Sequence, residues 1–139
     1  MASIKVLIDT NVLLDYVLDR GSVSIQAEQL FERCVRGEIE CHVAAHSVVN
    51  IFYILRKYYS VATRKMILSS LCDLCFVEDV TEQMIREVLQ GAEQDIEDHL
   101  QILCAKAAGA DFIITRDSKD FHDSPIPAIS PVEFLKKKW

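Results

Sequence analysis

Asp9, Asn50, Asp98 and Asp117 are the residues whose types and placement suggest shared chemistry. Asp9 follows the apolar, β-branched run Val6-Leu7-Ile8, and Thr10-Asn11 then opens a helix-like pattern. A buried strand therefore delivers a carboxylate to its own C-terminal end. In open parallel sheets that edge holds the ligand crevice. Asp98 follows Asp95, which is well placed as a helix N-cap, so Asp98 falls in the first turn. Asp117 lies just beyond a second β-like run, Asp111 to Thr115, and Asn50 falls in the first turn of a helix that Ser47 can cap.

A helix following a strand in a parallel α/β layer begins at the strand's C-terminal edge, so all these residues point to one edge. Carboxylates gathered there repel one another unless protonated or bridged by a cation, and oxygen ligands with open positions suit Mg²⁺ or Mn²⁺. Such an ion orients a phosphodiester and lowers the pKa of a bound water for in-line attack. Each residue also has a plain structural role. Asp9 could cap the helix after it, Asp98 could favour a helix dipole, and Asp117 could be a turn aspartate. Asp95 reads as mainly structural, Asp120 as structural or a support behind the site, and Asn50 as an ordinary first-turn residue. Their convergence on one edge carries the functional reading.

The elements that must position these groups alternate along the chain. After the strand at Lys5 to Asp9, Val12 to Leu18 reads as a short helix and Ser22 to Arg36 as another, its buried face drawn from Ile25, Leu30, Phe31, Cys34 and Val35. Ile39 to Ala44 is a second strand, followed by a helix through Val48 to Leu55 and a further one from Val61 to Asp73. Cys75 to Val80 is a third strand and Thr81 to Gln90 a helix that Gly91 ends. The helix opened by Asp95 runs to Gly109, the fourth strand is Asp111 to Thr115, and Arg116 to Phe121 is a loop. Pro127 to Ser130 reads as a short edge strand, and Pro131 opens a last helix to Trp139. The alternation predicts a mostly parallel sheet with right-handed crossovers in a single domain over residues 1–139.

At 139 residues the chain can bury most of its apolar surface in one domain. No apolar run is long enough to span a bilayer and no secretory leader pattern opens the chain, which predicts a cytoplasmic protein. The five cysteines, scattered and odd in number, fit free thiols in a reducing compartment. Cys72-x-x-Cys75 stands where a helix ends and a strand begins, the reverse of a redox pair's setting, so both read as small buried hydrophobes. A net charge of −6 argues against a broad basic surface for nucleic acid, but leaves room for a phosphate substrate reached through a metal.

The segments IDTNVLLD, HSVVNIFYILRK, DIEDHLQILCAKAAGADFIITRDSKDF and ISPVEFL together resemble the PIN domain family, and within it the small ribonucleases related to VapC toxins. The resemblance implies a three-layer α/β/α sandwich around about five mostly parallel strands. It implies that Asp9, Asp98 and Asp117 hold Mg²⁺ or Mn²⁺, with Asn11 and Thr115 as supporting polar groups. The family's glutamate in the helix after the second strand is replaced here by Asn50, an amide that offers a neutral oxygen but cannot act as a base. The implied function is a metal-dependent single-strand endoribonuclease that forms a homodimer and is restrained by a small antitoxin. Arg56, Lys57, Arg64, Lys65, Arg116 and Lys119 are the cations expected beside the cleft for RNA.

Two other classes bear on the same residues. A PIN-fold module that binds nucleic acid or an antitoxin without cutting is the alternative that Asn50 suggests. A phosphoacceptor receiver domain would want adjacent acids at the first strand's end and a lysine after the last strand, where this chain has Thr10-Asn11 and Pro131.

Overall fold

A computed structural model describes residues 3–92 and 95–137. Five strands form its sheet: β1 (Ile4–Ile8), β2 (Ile39–Ala44), β3 (Phe76–Glu78), β4 (Phe112–Ile114) and β5 (Ala128–Ile129). All pair in parallel, in the order β3-β2-β1-β4-β5. The chain builds outward from β1 to β3 on one side, then returns to place β4 and β5 on the other. The strand order thus reverses beside β1, and a crevice opens at its C-terminal end.

The helices are α1 (Thr10–Val17), α2 (Ser22–Val35), α3 (Ala45–Ile54), α4 (Val61–Leu74), α5 (Glu82–Gln90), α6 (Ile96–Ala108) and α7 (Pro131–Lys136). Side chains alternate across each strand, so β1 supplies both faces of the sheet. Val6 and Ile8 pack with Leu13, Leu30, Phe31, Ile51, Leu71 and Phe134 in a core beneath α1 to α4 and α7. Leu7 packs with Ile113, Ala44, Cys104 and Ala105 beneath α6, and Met84 of α5 joins it. Burial on both faces explains why β1 is an unbroken apolar run. The result is a three-layer α/β/α sandwich, as the sequence predicts.

Several boundaries differ from the sequence reading for identifiable reasons. The first helix starts at Thr10, since Asp9 is its N-cap. The helix after β2 starts at Ala45 with no side-chain cap. Ser47 is therefore not a cap but a fully buried residue inside α3, and Asn50 falls in the second turn instead of the first. In α2 the inward stripe runs through Ser24, Ala27, Leu30 and Phe31, leaving Ile25 and Val35 exposed on the flank. Only Phe76–Glu78 of the third predicted strand pairs, because Cys75 still closes α4 and β3 is a sheet edge. Lys137 closes the last helix, and Lys138 and Trp139 lie outside the described residues.

All five cysteines are free thiols. Cys75 is buried as the sequence suggests, but Cys72 is exposed on α4. Among the described residues no helix is long and apolar enough to cross a membrane.

Candidate functional site

The site begins with the register of β1 against β4. Ile8 lies beside Ile114, and the Asp9 amide donates to the Ile114 carbonyl at 2.9 Å, so the ladder carries Asp9 alongside Thr115. The Thr115 hydroxyl donates to Asp9 Oδ2 at 2.8 Å, and the Thr10 amide donates to Asp9 Oδ1 at the same distance. Asp9 thus caps α1 and also stands in the crevice, so the structural and functional readings of this residue coexist. Burial pushes its carboxyl up to about 6, aided by the charges of Glu97 and Asp117 and opposed by the hydrogen bonds from Thr115 and Thr10.

Helix α6 brings the next acids. Asp95 caps it by accepting from the Asp98 amide at 3.0 Å, which fixes the first turn as the sequence predicts. Asp9, Glu97 and Asp98 each present an oxygen within 4.8 Å of the others. Burial pushes Asp98 up to about 7, and the neighbouring Asp95, Asp9, Glu97 and Asp120 push in the same direction. Glu97 goes the other way. Burial alone would raise it, but hydrogen bonds from His46, Gln101 and Thr10 hold it below the usual carboxylate range.

Asp117 lines the same cavity of about 470 Å³ as Asp9, Asp98, Asn11 and Asn50, but stands outside the group of three close oxygens. Its Oδ2 accepts from Asn11 Nδ2 at 3.0 Å, and its amide donates to the Thr115 hydroxyl at 3.1 Å. Asn11 and Thr115 therefore tie Asp117 and Asp9 to one floor. Asp95 and Asp120 line this cavity and also the neighbouring one, which reaches His99 and His122. Asn50 is exposed on the cavity wall.

None of the six cations picked from the sequence lines the acidic cavity. Arg116, next to Asp117, turns away and grips the buried Asp15. Arg64 donates to the Phe52 carbonyl at 2.9 Å, and Lys65 lines an apolar groove between α3 and α4. Arg56 comes nearest in effect, because its guanidinium lies 3.7 Å from the ring centre of Tyr53, which does line the cavity.

The family model for the PIN domain matches residues 5–119. The chain belongs to the PIN domain family. Over 142 residues this PIN domain is 25% identical to Ribonuclease VapC1 of Aquifex aeolicus, with 99% of this chain and 97% of that protein covered. A toxin–antitoxin complex from Klebsiella pneumoniae contains a chain of the same fold, with a TM-score of 0.67 at 20% identity over 91% of this chain and 97% of that one. VapC20 of Mycobacterium tuberculosis, a sarcin–ricin loop cleaving toxin, has a TM-score of 0.62 at 11% identity over 78% of this chain and 86% of its own. FitAcB from Neisseria gonorrhoeae has a TM-score of 0.63 at 14% identity, covering 91% of this chain and 98% of that one.

Glu97 is the residue that sequence reasoning missed in this PIN domain. Its neighbour Asp98 drew attention through the cap spacing, and adjacent residues on a helix diverge by about 100°. A signal was nonetheless present. Gln101 lies one turn beyond Glu97, among the buried Leu100, Cys104 and Ala105. A polar residue on a buried stripe needs a partner.

The donor set suits a hard divalent cation. It is made of carboxylate oxygens alone, with no thiol or imidazole in the close group, and two of its members are held toward protonation by burial and, to a lesser extent, by neighbouring negative charges that a cation would offset.

Proposed function

We propose that this PIN domain is a metal-dependent endoribonuclease acting on single-stranded RNA, and a toxin of the VapC kind. The observation that carries the reading is the convergence of the Asp9 and Asp98 carboxylates at the C-terminal edge of β1. Asp9 and Asp98 would hold Mg²⁺ or Mn²⁺, with Asp117 at the same cavity wall. When bound, the ion supplies Lewis-acid polarisation of a phosphodiester and a more acidic water.

The chain's own residues do the rest. Thr115 and the Thr10 amide fix the two oxygens of Asp9, and Asn11 holds Asp117. Tyr53, 62% exposed at the cavity and stacked under Arg56, offers a flat surface to an unpaired base beside a cation for its phosphate. That pairing favours single-stranded over duplex RNA, since bases in a duplex are already stacked.

The test is cleavage of single-stranded RNA with Mn²⁺ and with EDTA, using the natural protein and Asp9→Asn. Activity is expected only for the natural protein with metal. Equal activity in all the reactions would remove the reading.

The ribonuclease and toxin–antitoxin relatives also support a small antitoxin as partner. A homodimer and a cytoplasmic location belong to the same proposal. Asn50 favours a second reading, a PIN domain that binds RNA or antitoxin without cutting, because it places an uncharged amide in the cavity wall. Calorimetry separates the two: heat of Mn²⁺ binding supports the nuclease, and none at millimolar ion supports the binding module.

A further inference from the structure

We propose that Glu97, carried by α6, is the third carboxylate of the metal site, set in place by a buried polar network that ties back one of its oxygens and leaves the other to the ion. The inference rests on the metal-dependent reading above and adds a ligand to it.

Three donors meet on Glu97 Oε1. Gln101 Nε2 lies at 2.9 Å, the Thr10 hydroxyl at 3.0 Å and His46 Nε2 at 3.2 Å. Gln101, fully buried, also reaches the buried Ser47 hydroxyl at 2.8 Å and the Thr10 hydroxyl at 3.2 Å. A carboxylate only accepts, so the amide nitrogen of Gln101 and a protonated Nε2 of His46 must face it. His46 Nδ1 is shut from solvent with no hydrogen-bond partner among the described residues, which leaves the ring committed to Glu97.

Those donors come from α1, α3 and α6, so three elements of the sandwich converge on a single oxygen. Helix α6 does not need this to begin, because Asp95 already caps it. Among the described residues, every hydrogen bond to Glu97 falls on Oε1 and none on Oε2. The arrangement fixes the rotamer of a charged side chain that belongs to the close group with Asp9 and Asp98, and leaves Oε2 without a hydrogen bond among the described residues. Holding three anionic groups within 4.8 Å is unfavourable without a counter-charge, and a divalent cation is the species that reverses that sign. Asp117 is less suited to be the third ligand, since it lies outside the group of close oxygens. Asn50 carries no charge to contribute.

The experiment is Mn²⁺ titration of the full chain, followed by calorimetry and by the electron paramagnetic resonance of free Mn²⁺, for the natural protein, Asp9→Asn, Asp98→Asn and Glu97→Gln. Glutamine keeps an oxygen that can accept the three donors, while it removes the charge and replaces the oxygen left to the ion by an NH₂ group that cannot ligate it. Glu97→Gln is expected to weaken Mn²⁺ binding at least tenfold while its circular dichroism matches the natural protein. Natural affinity in Glu97→Gln, with binding lost in the two aspartate variants, would overturn the role of Glu97 and leave the metal-dependent reading intact. No Mn²⁺ binding by the natural protein would overturn both. If Glu97→Gln does not fold, Glu97→Asp decides: it keeps the charge but shortens the reach, so several-fold weaker binding supports the proposal and unchanged binding overturns it.

Discussion

Arg116 Nε donates to Asp15 Oδ2 at 2.6 Å, across 101 residues of chain, and fastens the loop that carries Asp117 to helix α1. A second guanidinium nitrogen of Arg116 and one from Arg20 reach Asp15 Oδ1 at 3.3 Å, and Asp15 itself is 1% exposed. Asn11, one helical turn earlier, holds the same loop through the Arg116 amide and the Asp117 carboxylate. Asp15→Ala should therefore destabilise the protein by about 1.5–3 kcal/mol, the range for hydrogen bonds to charged groups. It should also lower RNA cleavage, because the loop that carries Asp117 loses one of its ties to α1. Urea unfolding and the cleavage assay check the two effects separately.

Stability in the absence of metal should fall as the pH rises from about 4 toward 7. Asp9 is raised from 3.8 to about 6 and Asp98 to about 7, so between their ordinary and raised values the folded state binds more protons than the unfolded chain. The slope of unfolding free energy with pH is then negative, and for the buried Asp9 the whole effect is about 3 kcal/mol. Glu97 works oppositely and only in more acid solution, where its lowered carboxyl protonates and its contribution is lost. Melting curves in EDTA across this range test the sign. Asp9→Asn should flatten the fall, and Mn²⁺ should raise the melting temperature of the natural protein more at pH 7.5 than at pH 5.5.

Gln101→Leu keeps much of the volume but leaves the fully buried Ser47 hydroxyl, and with it the Thr10 hydroxyl and Glu97 Oε1, short of a donor. A loss of about 1–3 kcal/mol is expected, the cost of leaving buried polar groups unsatisfied. Chemical denaturation measures it, with Gln101→Glu expected to be worse because it sets a second carboxylate against Glu97.

Tyr53→Ala should raise KM for single-stranded RNA, with a loss of about 1–3 kcal/mol per stacked base. Arg56→Ala should make a smaller change that shrinks as salt rises, since an exposed cation on a phosphate is screened. Steady-state kinetics at two salt concentrations distinguish stacking from charge.

The sheet was legible in the sequence because its central strands are buried on both faces, and Val6, Leu7, Ile8, Ile113 and Ile114 leave no other reading of their segments. The Asp95 to Asp98 turn was legible because a cap has a fixed spacing. Helix α3 was misread at its start, since Ala44 caps nothing and the nearest capping residue, Ser47, is instead drawn inward by Gln101. Glu97 went unseen because two of its partners, Thr10 and His46, are far from it in sequence and reach it only when α1, α3 and α6 pack, and Gln101, one turn away, was not read as its partner. The expected cations miss the cavity because nothing in the local sequence shows that the buried Asp15 recruits Arg116 from across the molecule.

The placement of β1 between β2 and β4 has a consequence for synthesis. Translation delivers the N-terminal segment first, and domains assemble as their parts emerge. The Asp9 carboxylate waits for Thr115, its partner from a strand made more than a hundred residues later. A ribosome that stalls before that point releases a chain with no Thr115 to hold Asp9, in which this cleft has never been put together.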